Sequence, residues 1–183
     1  DALQTNGSVY LTDSLIIGDG DTILGRGPSF FNRCEVQSNG VFMWIRNTAT
    51  NHGNVFLNST FRKRGAGATE LARAPINNGR PYPNAEAVLI NAKLEGISAV
   101  GWGAMGGDTA NMHYWEYNST SDGDGKPVDI SQRKLESRQL TMEKDADTIA
   151  NYSRPEYVLG WKPEMAPLIL SQPKPVTAAP GES

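Results

Sequence analysis

Four segments of the chain share one pattern: two or three apolar or β-branched residues, a small polar residue (Asn or Asp in most), then another apolar residue. They are Val9-Tyr10-Leu11-Thr12-Asp13-Ser14-Leu15-Ile16-Ile17, Phe30-Phe31-Asn32-Arg33-Cys34-Glu35-Val36, Val55-Phe56-Leu57-Asn58-Ser59-Thr60-Phe61 and Val88-Leu89-Ile90-Asn91-Ala92-Lys93-Leu94. Runs of this composition between turn-forming residues predict short strands. They recur at about 20 to 33 residues, separated by glycine-rich turns, with no helical period between them. Repeats of this length predict a solenoid, and the short strand-like segments between them favour a parallel β-helix over a helical repeat. A β-sandwich is the alternative, since evenly spaced strands suit that architecture too.

Longer loops are expected at 65–68, 75–84 and 103–111, and in a solenoid such insertions gather on one face, often the binding face. One short helix is expected near Thr141–Ala150, with Thr141 as its cap and Glu143, Asp145 and Asp147 towards its positive end. From Pro163 the chain turns Pro-rich. The expected organisation is a β-helix body over 1–163 and a tail over 164–183, disordered from Ser171, with 165–170 lying along the body.

A length of 183 residues suits one domain with a real core. A net charge of -3 and a pI near 5.4 argue against a phosphate-binding surface, so no nucleic-acid partner is expected. The longest basic run, Arg62-Lys63-Arg64, reads as a solvated loop. The single cysteine, Cys34, sits in an apolar run and reads as a small buried residue. His52 and His113 lie far apart with no Cys or His at metal spacing, so no metal, no cofactor and no Ser-His or Cys-His pair is expected. No apolar stretch reaches the roughly 18 residues a membrane span needs. The chain begins at Asp1 without Met, which suggests a processed chain or a fragment.

Candidate chemistry concentrates in Gly18-Asp19-Gly20-Asp21-Thr22-Ile23-Leu24-Gly25-Arg26-Gly27, where an acidic residue stands between glycines and a short apolar run. Glycines let backbone approach a ligand or a neighbouring strand closely. The plain reading is a tight turn with Asp19 and Asp21 solvated at its tip. The other is a carboxylate aimed into a reaction.

Gly18 to Phe31 resembles the segment Gly-x-Val-Asp-Phe-Ile-Phe-Gly of the pectin methylesterases (pectinesterases), and Leu24-Gly25-Arg26-Gly27 is similar to the aliphatic version ending Ser-Gly-Arg-Gly. Further landmarks recur in order: Asp1-Ala2-Leu3, Leu71-Ala72-Arg73, Gly79-Arg80, Pro83-Asn84-Ala85, Gly101-Trp102 with Met105, Glu116-Tyr117, Arg138-Gln139-Leu140 and Val158-Leu159-Gly160-Trp161. The likeness covers roughly residues 1 to 163, with the landmarks in the order seen in bacterial members. It implies an all-β, right-handed, single-stranded parallel β-helix that hydrolyses methyl esters of pectin and releases methanol. Asp21 would be the nucleophile, Asp1 the acid and then base, and Arg73 the residue that holds Asp21. Trp102, Tyr82, Arg80 and Arg26 would bind substrate. The partner implied is pectin or a related acidic polysaccharide, the setting secreted or periplasmic, and the state monomeric.

Two departures weaken the match. Ala74-Pro75 follows Arg73 where the family has Pro-Trp, so a sugar platform is lost or supplied from elsewhere, with Tyr82 as substitute. The family's two oxyanion glutamines would precede Asp1, so the chain is expected to lack the N-terminal coils. A second register is also open, in which Asp21-Thr22 matches the family's first Asp-Thr and the nucleophile position falls near Val41, without a carboxylate. A truncated or inactive relative that binds polysaccharide without turnover is therefore the alternative function. Trp115 and Trp161 are further aromatic candidates. Of the sequons at Asn6, Asn58, Asn118 and Asn151, Asn58 reads as a coil-turn residue.

Overall fold

In the structure, a computed structural model, residues 1–103, 107–134 and 137–164 are described. The expected tail from 165 onward and Met105 lie outside them. Each turn of the chain contributes strands to three parallel sheets. The first coil holds β1 (Leu3–Thr5), β2 (Val9–Thr12) and β3 (Leu15–Gly18). The second holds β4 (Ile23–Gly25), β5 (Ser29–Asn32) and β6 (Glu35–Ser38). The third holds β7 (Met43–Ile45), β8 (Asn54–Leu57) and β9 (Thr60–Lys63). A small antiparallel hairpin, β10 (Ile76–Asn77) and β11 (Arg80–Pro81), then interrupts the winding. The coils resume with β12 (Glu86–Ile90), β13 (Lys93–Glu95), β14 (His113–Tyr117), β15 (Thr120–Ser121) and β16 (Ser137–Gln139).

The sheets run β1-β4-β7, β2-β5-β8-β12-β14-β16 and β3-β6-β9-β13-β15, all in parallel register. The first sheet continues through single bridges from Met43 to Ala72 and from Ala72 to Trp102. This is a parallel β-helix.

The four sequence segments are not single strands. Each divides at its polar residue into two strands belonging to two sheets. Asp13, Arg33, Asn58, Asn91 and Asn118 stand at these corners with φ between 51° and 54°, the left-handed region that Asn and Asp tolerate best. The amides stack from coil to coil: Asn91 Nδ2 donates to Asn58 Oδ1 (3.1 Å), and Asn118 Nδ2 to Asn91 Oδ1 (2.9 Å). Asn58 is thus a corner residue, as its place in the repeat implied, and so is Asn118.

Side chains alternate along the second sheet. Phe31, Phe56, Leu89 and Tyr114 point inward to the main core, with Phe31 and Phe56 stacked at 4.4 Å. Phe30, Val55, Val88 and Ile90 point outward and would lie open without cover. Two helices provide it through Tyr152, Val158 and Leu159. The first, α1 (Met142–Tyr152), is the expected one, and Thr141 Oγ1 accepts from its Lys144 N–H. The second, α2 (Pro155–Leu159), corrects the expectation of a single helix. Its signals were present: Pro155 at the first turn and Gly160, at φ 75°, closing it.

Arg62 also departs from expectation. It lies on β9, where it pairs with Glu35, Glu95 and Asp122 across neighbouring coils. Cys34 is buried, and burial raises its thiol pKa.

Candidate functional site

The glycines of the first motif serve coil stacking. A Cβ on Gly25 would sit 2.0 Å from the Thr5 carbonyl oxygen, and one on Gly27 2.2 Å from that of Gly7. No other residue fits at that approach. The bare backbone lets Arg26 N–H donate to Thr5 O (2.8 Å), which fixes the corner between the first and second sheets. Just before β4 the chain bends through Gly20 into Asp21, whose φ is 42°.

Asp21 does not stand free at a turn tip. Its Oδ2 accepts from Arg73 Nη1 at 2.9 Å, and its Oδ1 is enclosed with no hydrogen-bond partner. Arg73 comes from two coils further on, one residue past the Ala72 bridge. It reaches back over the coil that carries Val41 to Trp44. Val41 stacks beside Asp21 in that intervening coil, two residues before the paired Ile23 and Met43. Asp1 occupies the same height on the coil before, two residues ahead of the paired Leu3 and Ile23. Its backbone nitrogen donates to Gly20 O at 3.2 Å, and its exposed carboxylate makes no hydrogen bond among the described residues.

An aromatic residue absent from the sequence candidates stands at the centre. Trp44, on β7, carries the Arg46 guanidinium 4.3 Å from its ring centroid and that of Arg73 at 4.5 Å. A cation over an aromatic face is attracted by the ring quadrupole. Trp44 lies on the outer face of the first sheet because Met43 and Ile45, its strand neighbours, point into the core. A family motif that places tryptophan after Arg73 gave no reason to look one coil earlier. Only the strand stacking shows that Trp44 lies opposite Arg73.

Trp102 is corrected. It has no exposed surface, stacks on Tyr114 at 4.8 Å and donates its indole N–H to Glu116 Oε1 at 3.2 Å. Glu116 is itself buried and paired with Arg133 at 2.8 Å. Trp102 therefore helps satisfy an inward-facing charge and offers no face to a ligand. Trp115 stacks on His113 at 3.9 Å, and Trp161 is exposed with its N–H on Ser8 Oγ at 2.6 Å. Tyr82 and Arg26 do come together: a hydrogen bond from Arg26 lowers the Tyr82 pKa. Arg80 is exposed at the β10–β11 hairpin and makes no ion pair among the described residues.

A second polar cluster was missed entirely. Glu86, on β12 and buried, accepts four hydrogen bonds. They come from His52 Nδ1 (2.8 Å), Gly53 N–H (3.1 Å), His113 Nδ1 (2.7 Å) and the Tyr152 hydroxyl (2.6 Å). Burial would raise the Glu86 pKa, but the bonds from His113, His52 and Tyr152 outweigh it and hold the carboxyl at about 2. An ionised carboxylate only accepts, so both rings carry their proton on Nδ1. The cluster opens on a pocket of about 390 Å³ lined also by Asn47, Asn51, Asn84 and Tyr157. The histidines were 61 residues apart in sequence, and parallel stacking of β8, β12 and β14 joined them.

Among the described residues, no group of three or more His, Cys, Asp and Glu is placed to hold a metal ion, and no helix is long and apolar enough to cross a membrane.

No protein-family model and no curated protein sequence matches the chain. Among solved structures it is similar to the pectin methylesterase of Aspergillus niger. The likeness holds for the deglycosylated form and for a form keeping an N-acetylglucosamine stub. In each case identity is 26% and the TM-score 0.59, over 85% of this chain and 48% of that one. The chain thus spans about half the length of that enzyme, and the similarity supports a pectin methylesterase type of β-helix.

Proposed function

We propose that the chain is a carboxylic ester hydrolase acting on methyl-esterified pectin. The observation that carries this reading is the Asp21–Arg73 hydrogen bond on the outer face of the first sheet. Ester cleavage without Ser, Cys or metal needs another nucleophile, and a carboxylate serves if it is kept ionised and aimed. A guanidinium does both.

In this reading the Asp21 carboxylate, held by Arg73, attacks the ester carbonyl carbon. The C–O bond to the methyl group's oxygen breaks, Asp1 gives its proton to the departing methoxide, and methanol leaves. Asp1 then takes a proton from water, which attacks the acyl–aspartate anhydride and returns Asp21 with a free uronate. The stacking of Asp1 beside Asp21 on adjacent coils sets an acid next to the nucleophile and supports this division of roles. Arg26, Arg80 and Tyr82 line the approach of an acidic polymer, in a secreted or periplasmic setting.

The test is methanol release from highly esterified pectin by the chain and by Asp21→Asn. Release by the first and not the second is expected. Equal release by both overturns the assignment. The second reading, binding without turnover, is favoured by the unengaged Asp1 carboxylate. It would give no methanol from either protein while both still bind pectate.

A further inference from the structure

Arg46 is a buried cation that makes no ion pair among the described residues. It follows β7, 7% of its surface is exposed, and its Nε is enclosed with no hydrogen-bond partner. Its guanidinium stands 4.3 Å from the centroid of the Trp44 ring. Among the described residues it pairs with no carboxylate. Burial, and after it the charge of Arg26, push its pKa down, while Tyr82 and Asp21 lie close enough to push it up.

The fold worsens the strain. Gly25 and Ile45 pair in register on adjacent coils, and Arg26 and Arg46 each follow by one residue. Strands in a sheet run about 4.8 Å apart, so two guanidiniums follow each other on neighbouring coils. Arg26 likewise has no ion pair among the described residues; its side chain hydrogen-bonds Tyr82. Like charges in this relation destabilise a sheet, and a buried unpaired charge costs more than a buried pair. Arg133, whose side chain is as deeply buried, has Glu116 as its partner.

We infer that Arg46 and Arg26, with the Tyr82 hydroxyl, form a subsite for a free carboxylate beside the Asp21–Arg73 pair. A planar anion there would take hydrogen bonds from the unengaged guanidinium of Arg46 and neutralise the stacked pair. Trp44 holds Arg46 on one contact and Arg73 on another, so the subsite adjoins the candidate reaction centre directly. Taken with the proposed esterase activity, on which this step rests, the carboxylate is that of a de-esterified uronate next to the ester being cut. The site then selects partly de-esterified polymer over fully esterified polymer.

The experiment is calorimetric titration of fully de-esterified trigalacturonate, and of its fully methyl-esterified form, into the wild-type chain and Arg46→Met, with melting curves of both proteins. Arg46→Met is expected to weaken trigalacturonate binding by at least about tenfold and leave binding of the esterified trimer unchanged. The unliganded melting temperature should stay level or rise, because a buried uncompensated charge is removed. Unchanged trigalacturonate affinity in a folded Arg46→Met protein overturns the inference. So does a large fall in melting temperature, which would mark Arg46 as structural. If Met perturbs the Trp44 packing, Arg26→Gln at the exposed neighbour tests the same subsite, and its failure to weaken trigalacturonate binding counts against it equally. These readouts do not depend on turnover. Loss of methanol release with Arg46-dependent binding intact would sink the esterase reading alone.

Discussion

Arg73 donates to Asp21 across 52 residues of chain, from two coils away, over the strand that carries Trp44. The pair is part-exposed, so it contributes at most about 1 kcal/mol to stability. Its value lies in aim.

Replacing Arg73 by Lys keeps the charge and removes the planar donor that fixes the direction of the Asp21 carboxylate. Methanol release from esterified pectin is expected to fall by roughly 10²-fold, with the melting temperature within a degree or two of wild type. A Lys variant that turns over at the wild-type rate would show that Arg73 does not orient the nucleophile.

Glu86 ties α1 to three coils through His52, His113 and Tyr152. Its folded-state pKa of about 2 lies below the ordinary 4.5. A depressed carboxyl contributes stability that is fully present above its unfolded pKa and lost as pH falls through the folded one. The contribution, on the order of 3 kcal/mol, should therefore disappear between pH 4.5 and about 2. Denaturant titrations of wild type and Glu86→Gln check this. The gap between the two proteins should narrow over that window, and a gap that stays constant would contradict the assignment.

Asn91 stands in the middle of the corner ladder, donating to Asn58 and accepting from Asn118 at a φ of 53°. Asn91→Ala loses both bonds and must hold a left-handed conformation without the local compensation Asn provides, a cost of about 1–3 kcal/mol. Asn91→Gly loses the bonds and accepts the conformation, so its denaturation midpoint should fall between those of wild type and Ala. Equal midpoints for the two variants would mean that backbone strain at the corner is unimportant.

Much of the fold was legible in the chain. The repeat of apolar run, polar residue and apolar run reported the coils, because each coil must place apolar side chains inward and a turn residue at its corner. Thr141 marked the start of α1 for a local reason, a side chain that caps its own helix. Asp21, Arg73, Asp1 and Arg26 were visible as chemistry-bearing residues in ordered motifs, and Tyr82 as a substitute aromatic beside them. What the chain could not show was lateral neighbourhood. Coils range from 20 residues, as between Leu11 and Phe31, to 33, as between Val55 and Val88. Which residues stack therefore depends on how much of each coil is looped out, and only the closed winding fixes it. That winding set Trp44 under Arg73, joined two distant histidines on Glu86, and turned Trp102 inward to serve a buried charge. Local composition decided the strands, corners and cap. Parallel stacking, which depends on contacts a coil or more apart, decided the site.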